Sequence, residues 1–291
     1  MLTLPTQPAR CRQSGFTLVE AIIVIVITGI LAGIVAVFIT VPVQGYADSV
    51  RRAELTDAAD VILRRIQREI RLALPNSLRV TSSGGVNYIE FIMTSTGGQY
   101  RDEYDGSSAG DFLSFTSSAD KTFDVLGTMP SNPAIADNDF IVVNNVANLL
   151  PANNAYATGD PCSSCNRAKV ASTASNTVTL ATNPFAGQLR PSASRFQVVP
   201  GGVKAVTFAC PALTSGNLTR YWNYGFFPSQ ANAIAALPSL AVAYQALLAA
   251  NVTCTVSPPS SGLLNIVLTL TDPTSGERVT LFQQIHVDNS A

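Results

Sequence analysis

The pattern of apolar and polar positions divides the chain into three stretches. From Ala21 to Ala47 there is no charged residue, and the 23 residues Ala21–Val43 are almost wholly aliphatic. At ~1.5 Å per residue such a helix reaches about 34 Å, enough to cross a bilayer core of roughly 30 Å. A secretory signal peptide would carry a shorter apolar run ending in a small-residue cleavage site. This run instead continues into a charged stretch, 45–75, where Leu55, Ala59, Ile62, Ile66 and Ile70 recur three or four residues apart. That spacing predicts an amphipathic helix with one apolar face, which Pro75 ends. Asp48–Arg52 and Asp60–Arg64 stand four residues apart on it in the favourable order.

From residue 76 onward the chain is rich in Gly, Ser, Thr, Asn and Pro, with short β-prone runs. Val86–Met93, Phe112–Phe115, Phe140–Val143, Thr177–Leu180, Phe196–Val199 and Val203–Phe208 read as strands. Leu263–Thr271 and Glu277–Val287 read as a hairpin across Asp272-Pro273-Thr274-Ser275-Gly276. Leu240–Ala250 reads as a short helix. The expected body, 76–291, is α+β and antiparallel, with two lobes dividing near 185.

Composition narrows the function. Charged residues make up 13% of the chain and the net charge is -1, so the concentrated basic patch that nucleic acid requires is missing. Eleven charges fall within 48–71 and three precede them (Arg10, Arg12 and Glu20), leaving 23 of 37 for the remainder. The one histidine, His286, rules out a two-histidine zinc site, and neither GxSxG nor HExxH occurs. No enzyme, cofactor or metal is predicted. Asp102-Glu103-Tyr104-Asp105 with Asp111 offers oxygens to calcium but lacks EF-hand spacing and reads as a solvated loop. Tyr221, Trp222 and Tyr224 are either core or an adhesive surface.

Four of the five cysteines, Cys162, Cys165, Cys210 and Cys254, lie in the body, which suits an oxidising compartment. Basic residues flank the apolar run on both sides, so cysteine usage sets the orientation: residues 1–15 cytoplasmic, body outside. Cys210 and Cys254, 44 residues apart, read first as a structural disulfide. Cys162-Ser163-Ser164-Cys165 reads as a local disulfide, a redox CxxC, or half of a zinc site completed by Cys210 and Cys254.

Glu20 is the odd residue, because a carboxylate at the edge of such a run costs about 2–3 kcal/mol if it enters the bilayer. It reads either as a favourable helix N-terminal acid or as a counter-ion for a positive partner in the membrane. Gly15-Phe16-Thr17-Leu18-Val19-Glu20, behind a short basic leader and ahead of the apolar run, resembles a type IV prepilin signal. The resemblance implies cleavage of leader 1–15 after Gly15 and N-methylation of Phe16 by a prepilin peptidase/N-methyltransferase. The mature chain would keep 276 residues with net charge -3.

It further implies that the Glu20 carboxylate meets the terminal amine of a neighbouring subunit during assembly. The implied fold is type IV pilin-like: a long N-terminal spine helix, transmembrane over 16–44 and amphipathic over 45–75, packed on an antiparallel β-sheet body. Implied partners are other major and minor pilins and an inner-membrane assembly platform. The implied location is a single-pass inner-membrane state with a periplasmic body, followed by a surface pilus. Many major pilins carry a proline near Val37; here the helix proline is Pro42.

Scattered stretches are similar to one branch, the MshO minor pilins of the mannose-sensitive haemagglutinin (MSHA) pilus. They are Gly97–Asp102, Phe123–Gly127, Arg195–Val199 with Cys210, Leu218–Tyr221, Leu247–Ala249 with Cys254, and His286–Asn289. The expected role is a minor pilin in pilus initiation and assembly. The alternatives are a type II secretion pseudopilin and a pilus-displayed adhesin.

Overall fold

A computed structural model describes residues 15–103, 110–146, 154–159, 162, 165–260 and 262–287. The leader up to Ser14, Tyr104, Asp105, Ser163, Ser164, Asp288 and Asn289 lie outside the described residues. The chain forms two compact units, the first ending at Ala53 and the second running from Glu54. Helix α1, Leu18–Ile70, contributes to both.

In the second unit α1 buries Ala59, Ile62, Leu63, Ile66 and Ile70, with Leu55 packed beside them. This is the predicted stripe, and it lies on the inner face of a seven-stranded antiparallel sheet. The strands are β1 (Arg79–Ser83), β2 (Val86–Ile92), β9 (Ala205–Pro211), β10 (Gly216–Trp222), β11 (Gln245–Ser260), β12 (Leu263–Thr271) and β13 (Arg278–His286), in that spatial order. Along β12 buried positions alternate strictly with half-buried ones, since Leu264, Ile266, Leu268 and Leu270 face the helix. The β12–β13 hairpin keeps one register from Leu263↔His286 to Thr271↔Arg278.

Between β2 and β9 the chain forms a closed barrel. Its strands are β3 (Thr96–Tyr100), β4 (Thr122–Leu126), β5 (Phe140–Val142), β6 (Arg167–Ala174), β7 (Thr177–Leu180) and β8 (Arg195–Val199), ordered β3-β4-β7-β6-β5-β8. Tyr100, Phe123 and Phe196 pack edge to face in its core, at ring separations of 6.4 and 5.7 Å. Gly98 makes this possible, because a Cβ there would sit 2.8 Å from the Phe196 ring. Leu74, Ile92, Phe140, Val142, Val199 and Ala205 form a third cluster that joins barrel and sheet.

Three expectations need correction. The lobes do not divide near 185, because the barrel (96–199) is inserted within the sheet and both β2 and β9 belong to that sheet. Leu240–Ala250 is not an α-helix: a 3-10 turn at Val242–Tyr244 leads into β11, whose pairing with β10 from Gln245 onward overrides the helical preference of its Leu and Ala residues. Phe112–Phe115 is not a strand; Ser114 uses its hydroxyl to accept the Thr116 and Ser117 N–H groups in a local turn.

Candidate functional site

The N-terminal segment is built around Thr17. It precedes the first turn of α1, and its Oγ1 accepts the Glu20 N–H at 3.3 Å while its carbonyl accepts the Ala21 N–H at 3.1 Å. Thr-x-x-Glu is a capping-box spacing, so Thr17 starts the helix at this point and sets Glu20 in its first turn. Glu20 is exposed, and Phe16 is 80% exposed.

From Leu18 to Val43 every side chain of α1 is exposed, although nearly all are apolar. The two hydroxyls within the run are satisfied internally: Thr28 donates to Val24 O at 2.6 Å and Thr40 to Ala36 O at 2.9 Å. A surface of this kind is suited to lipid or to other apolar helices. Among the described residues α1 is the one helix long and apolar enough to cross a membrane. It fits a single membrane anchor.

The body holds two disulfides. Cys210 on β9 joins Cys254 on β11, with Cα atoms 5.8 Å apart. The far half of β11 curls back towards β2 there, and Asn87 Nδ2 donates to Cys254 O at 3.0 Å. Cys162 joins Cys165, and both sulfurs lie 3.2 Å from Arg167 O. The Arg167 guanidinium lies over the Phe226 ring at 3.7 Å and donates to the carbonyls of Ala155, Ala157 and Gly159.

The other residues singled out above have structural surroundings. Asp102 pairs with Arg190 and accepts the Ser194 hydroxyl at 2.9 Å. The Asp111 N–H donates to Asp124, whose carboxyl is held below its usual range by the Thr177 hydroxyl and that N–H. Among the described residues no three His, Cys, Asp or Glu side chains cluster closely enough to hold a metal ion. His286 is exposed at the end of β13. Trp222 packs on the helix-facing core, edge-on to Tyr244 and beneath the Arg220 guanidinium.

Sequence reasoning missed two buried charge clusters. On one, Glu90 is fully buried and receives Arg79 Nε at 2.8 Å and the Tyr224 hydroxyl at 3.0 Å. Burial pushes its carboxyl above the usual range, against the pull of these donors. Arg79 also stacks on Tyr156 at 3.7 Å and donates to the carbonyls of Phe227 and Pro228. On the other, Glu69 of α1 accepts Arg220 Nε at 2.6 Å and Arg65 Nε at 3.3 Å, tying the helix to β10. No local signal marks either cluster, because the partners lie up to 151 residues apart.

An open groove of about 430 Å³ between β3 and β8 is floored by Gly97 and Gly98 and edged by Gln99, Arg195 and Gln197. Its lining holds no paired nucleophile and base.

The family model described as the prokaryotic N-terminal methylation motif matches residues 10–36. Nothing among curated proteins and nothing among solved structures matches the chain. The motif, the apolar helix behind it and the antiparallel body together define a type IV prepilin-like chain with an α+β, pilin-like architecture. The motif's family is structural, and it implies processing by a prepilin peptidase and assembly with other pilins.

Proposed function

We propose that this chain is a minor pilin that helps start or assemble a type IV pilus of the MSHA kind. The observation that carries the pilin-like part of the reading is the methylation motif over 10–36, which overlaps the start of α1. The inserted chain sits in the inner membrane through residues 21–43, body outward. Cleavage after Gly15 frees the Phe16 amine, which is then methylated. Glu20 pairs with the amine of a neighbouring subunit as the chain is extracted into the filament; a buried carboxylate is costly alone and much less so when paired. The scattered MshO-like stretches between Gly97 and Asn289 support the MSHA branch.

A clean deletion strain tests the reading, assayed together for sheared surface filaments and for secreted proteins. Loss of filaments with secretion intact supports a minor pilin. Persisting filaments with exoproteins held in the periplasm assign the chain to a type II secretion pseudopilus, which uses the same motif and helix. An adhesin displayed on the pilus is favoured by one feature, the barrel inserted beside a sheet that already covers the spine helix. Binding of the chain to cell surfaces or glycans, lost when the barrel's outer residues are replaced, would support display.

A further inference from the structure

On the barrel's outer surface the antiparallel pair β3–β8 sets Gln99 opposite Arg195 and Gly97 opposite Gln197. Tyr100, Phe196 and Val198 belong to the barrel core, so the alternate positions 97, 99, 195 and 197 face outward. These positions mark a rectangle about 5 Å across the strands and about 7 Å along them. Three corners carry long polar side chains, and the fourth, Gly97, is bare main chain. A Cβ at Gly97 would lie 2.7 Å from Phe196 O, so the close approach of the two strands keeps that corner bare. The groove of about 430 Å³ between β3 and β8 follows from this arrangement.

The three side chains have no task within the fold. Among the described residues Gln99, Arg195 and Gln197 make no side-chain hydrogen bond, and Arg195 has no ion-pair partner. Across the ladder Arg195 faces Gln99, which cannot neutralise it. No acid lines the groove, and Asp102, just past the end of β3, is committed to Arg190 and Ser194. Arg195, Gln99 and Gly97 are exposed, and Gln197 is half-buried.

A guanidinium presents a planar fork that fits a carboxylate through two parallel hydrogen bonds. A carboxamide donates from its nitrogen and accepts at its oxygen, which suits neighbouring hydroxyls. The matching ligand therefore carries a carboxylate flanked by hydroxyls and is flat enough to lie on Gly97. An extended peptide fits less well, because the groove lies along two paired strands of a closed barrel and offers no open strand edge. We infer that this groove binds a hexuronate unit of an acidic polysaccharide, its carboxylate on Arg195, its ring over Gly97 and its hydroxyls on Gln99 and Gln197. The inference rests on the displayed-adhesin reading for its setting and supplies a ligand class for it. A single unit in an open groove binds weakly, and a polymer that meets many copies of the chain gains by avidity.

The probe is trigalacturonate, with its methyl ester as the uncharged control, titrated by calorimetry into the detergent-solubilised full-length chain at low ionic strength. Saturable binding at least ~10-fold tighter than that of the ester is expected. Arg195→Ala should weaken it about 10-fold, and Gln99→Leu or Gln197→Leu about fivefold each. None of these side chains holds the fold, so each variant should keep the parent's urea midpoint, which separates lost binding from unfolding. No saturable binding, equal binding of the ester or of a triglutamate peptide, or parental affinity in the Arg195→Ala chain would overturn the site. Cell-surface binding that is lost on substitution elsewhere on the barrel, but kept in these three variants, would uphold display and overturn the groove. Uronate binding by a chain whose deletion leaves cell adhesion unchanged would uphold the groove and count against display.

Discussion

Removing Arg79 isolates the buried Glu90 carboxylate and makes the body's stability depend on pH. In the intact protein Glu90 is fully buried and held by Arg79 and Tyr224. Arg79→Ala removes the cation of that group and leaves a buried negative charge with one hydroxyl donor. Breaking a buried pair from one side costs about 3–5 kcal/mol, roughly a thousandfold in the folding equilibrium. About 1 kcal/mol of further loss comes with each carbonyl bond that Arg79 makes to Phe227 and Pro228, and that part does not depend on pH.

The pH-dependent part follows from the direction of the Glu90 shift. Its carboxyl lies above the usual value of 4.5 in the folded chain, and losing Arg79 raises it further. Between the unfolded and folded values the folded chain holds a proton that the unfolded chain releases. This group's contribution therefore falls as pH rises through that window. The penalty of Arg79→Ala should be large at pH 8 and shrink towards pH 5. Urea unfolding of the detergent-solubilised chain, followed by the fluorescence of the single tryptophan, Trp222, reads the body directly. Arg79→Ala combined with Glu90→Gln should lose most of the pH dependence. A penalty below ~1 kcal/mol at pH 8, or one equal at both pH values, would refute this account of the cluster.

Four other outcomes are expected. Replacing Cys210 and Cys254 by alanine should cost about 4 kcal/mol against about 2 for Cys162 and Cys165, because the first pair closes a far longer loop; paired denaturation curves compare them. Ile66→Ala, at a position 1% exposed on the helix stripe, should cost about 2–5 kcal/mol in the same assay. Asn183→Asp should lower the melting temperature by several degrees, since its amide donates to the carbonyls of Ser114, Ser117 and Asp120 and a carboxylate cannot. Glu20→Ala should leave leader cleavage intact, seen as a mobility shift on gels, and abolish filaments in sheared fractions; unchanged piliation would count against the pairing role.

What could be read in advance depended on whether the signal was local. The helix stripe and the β12–β13 hairpin repeat over many residues with the period of their own secondary structure. Ile62 and Ile66 on the helix, and Ile266 and Leu268 on the strand, therefore declared their faces. The methylation motif is contiguous, and Glu20 stands out at the edge of the apolar run by its charge. Of the barrel, β5, β7 and β8 were legible as short β-prone runs, whereas β3 was hidden by Gly97 and Gly98, poor strand formers placed there for the Phe196 backbone and ring. β11 was hidden by a Leu-Leu-Ala-Ala run whose helical preference yields to pairing with β10. Glu90 and Glu69 gave no warning, since their cations arrive from distant strands.

The insertion of the barrel has a consequence for how such a chain can change over generations. Ile92 and Ala205, where the chain leaves and rejoins the sheet, are paired partners on adjacent strands. Everything between them hangs from a doorway one strand spacing wide. Exchange of that module leaves the order of the host strands intact and requires that the apolar seam around Leu74, Phe140 and Val199 be refilled and that the contacts of Tyr156 with Arg79 and Ser77, and of Asn145 with Pro75 and Asn76, be replaced. The anchor, the spine and the contacts that build a filament are thereby separated from whatever the exposed module meets. One part of the chain is free to diversify while the other stays bound to its machine.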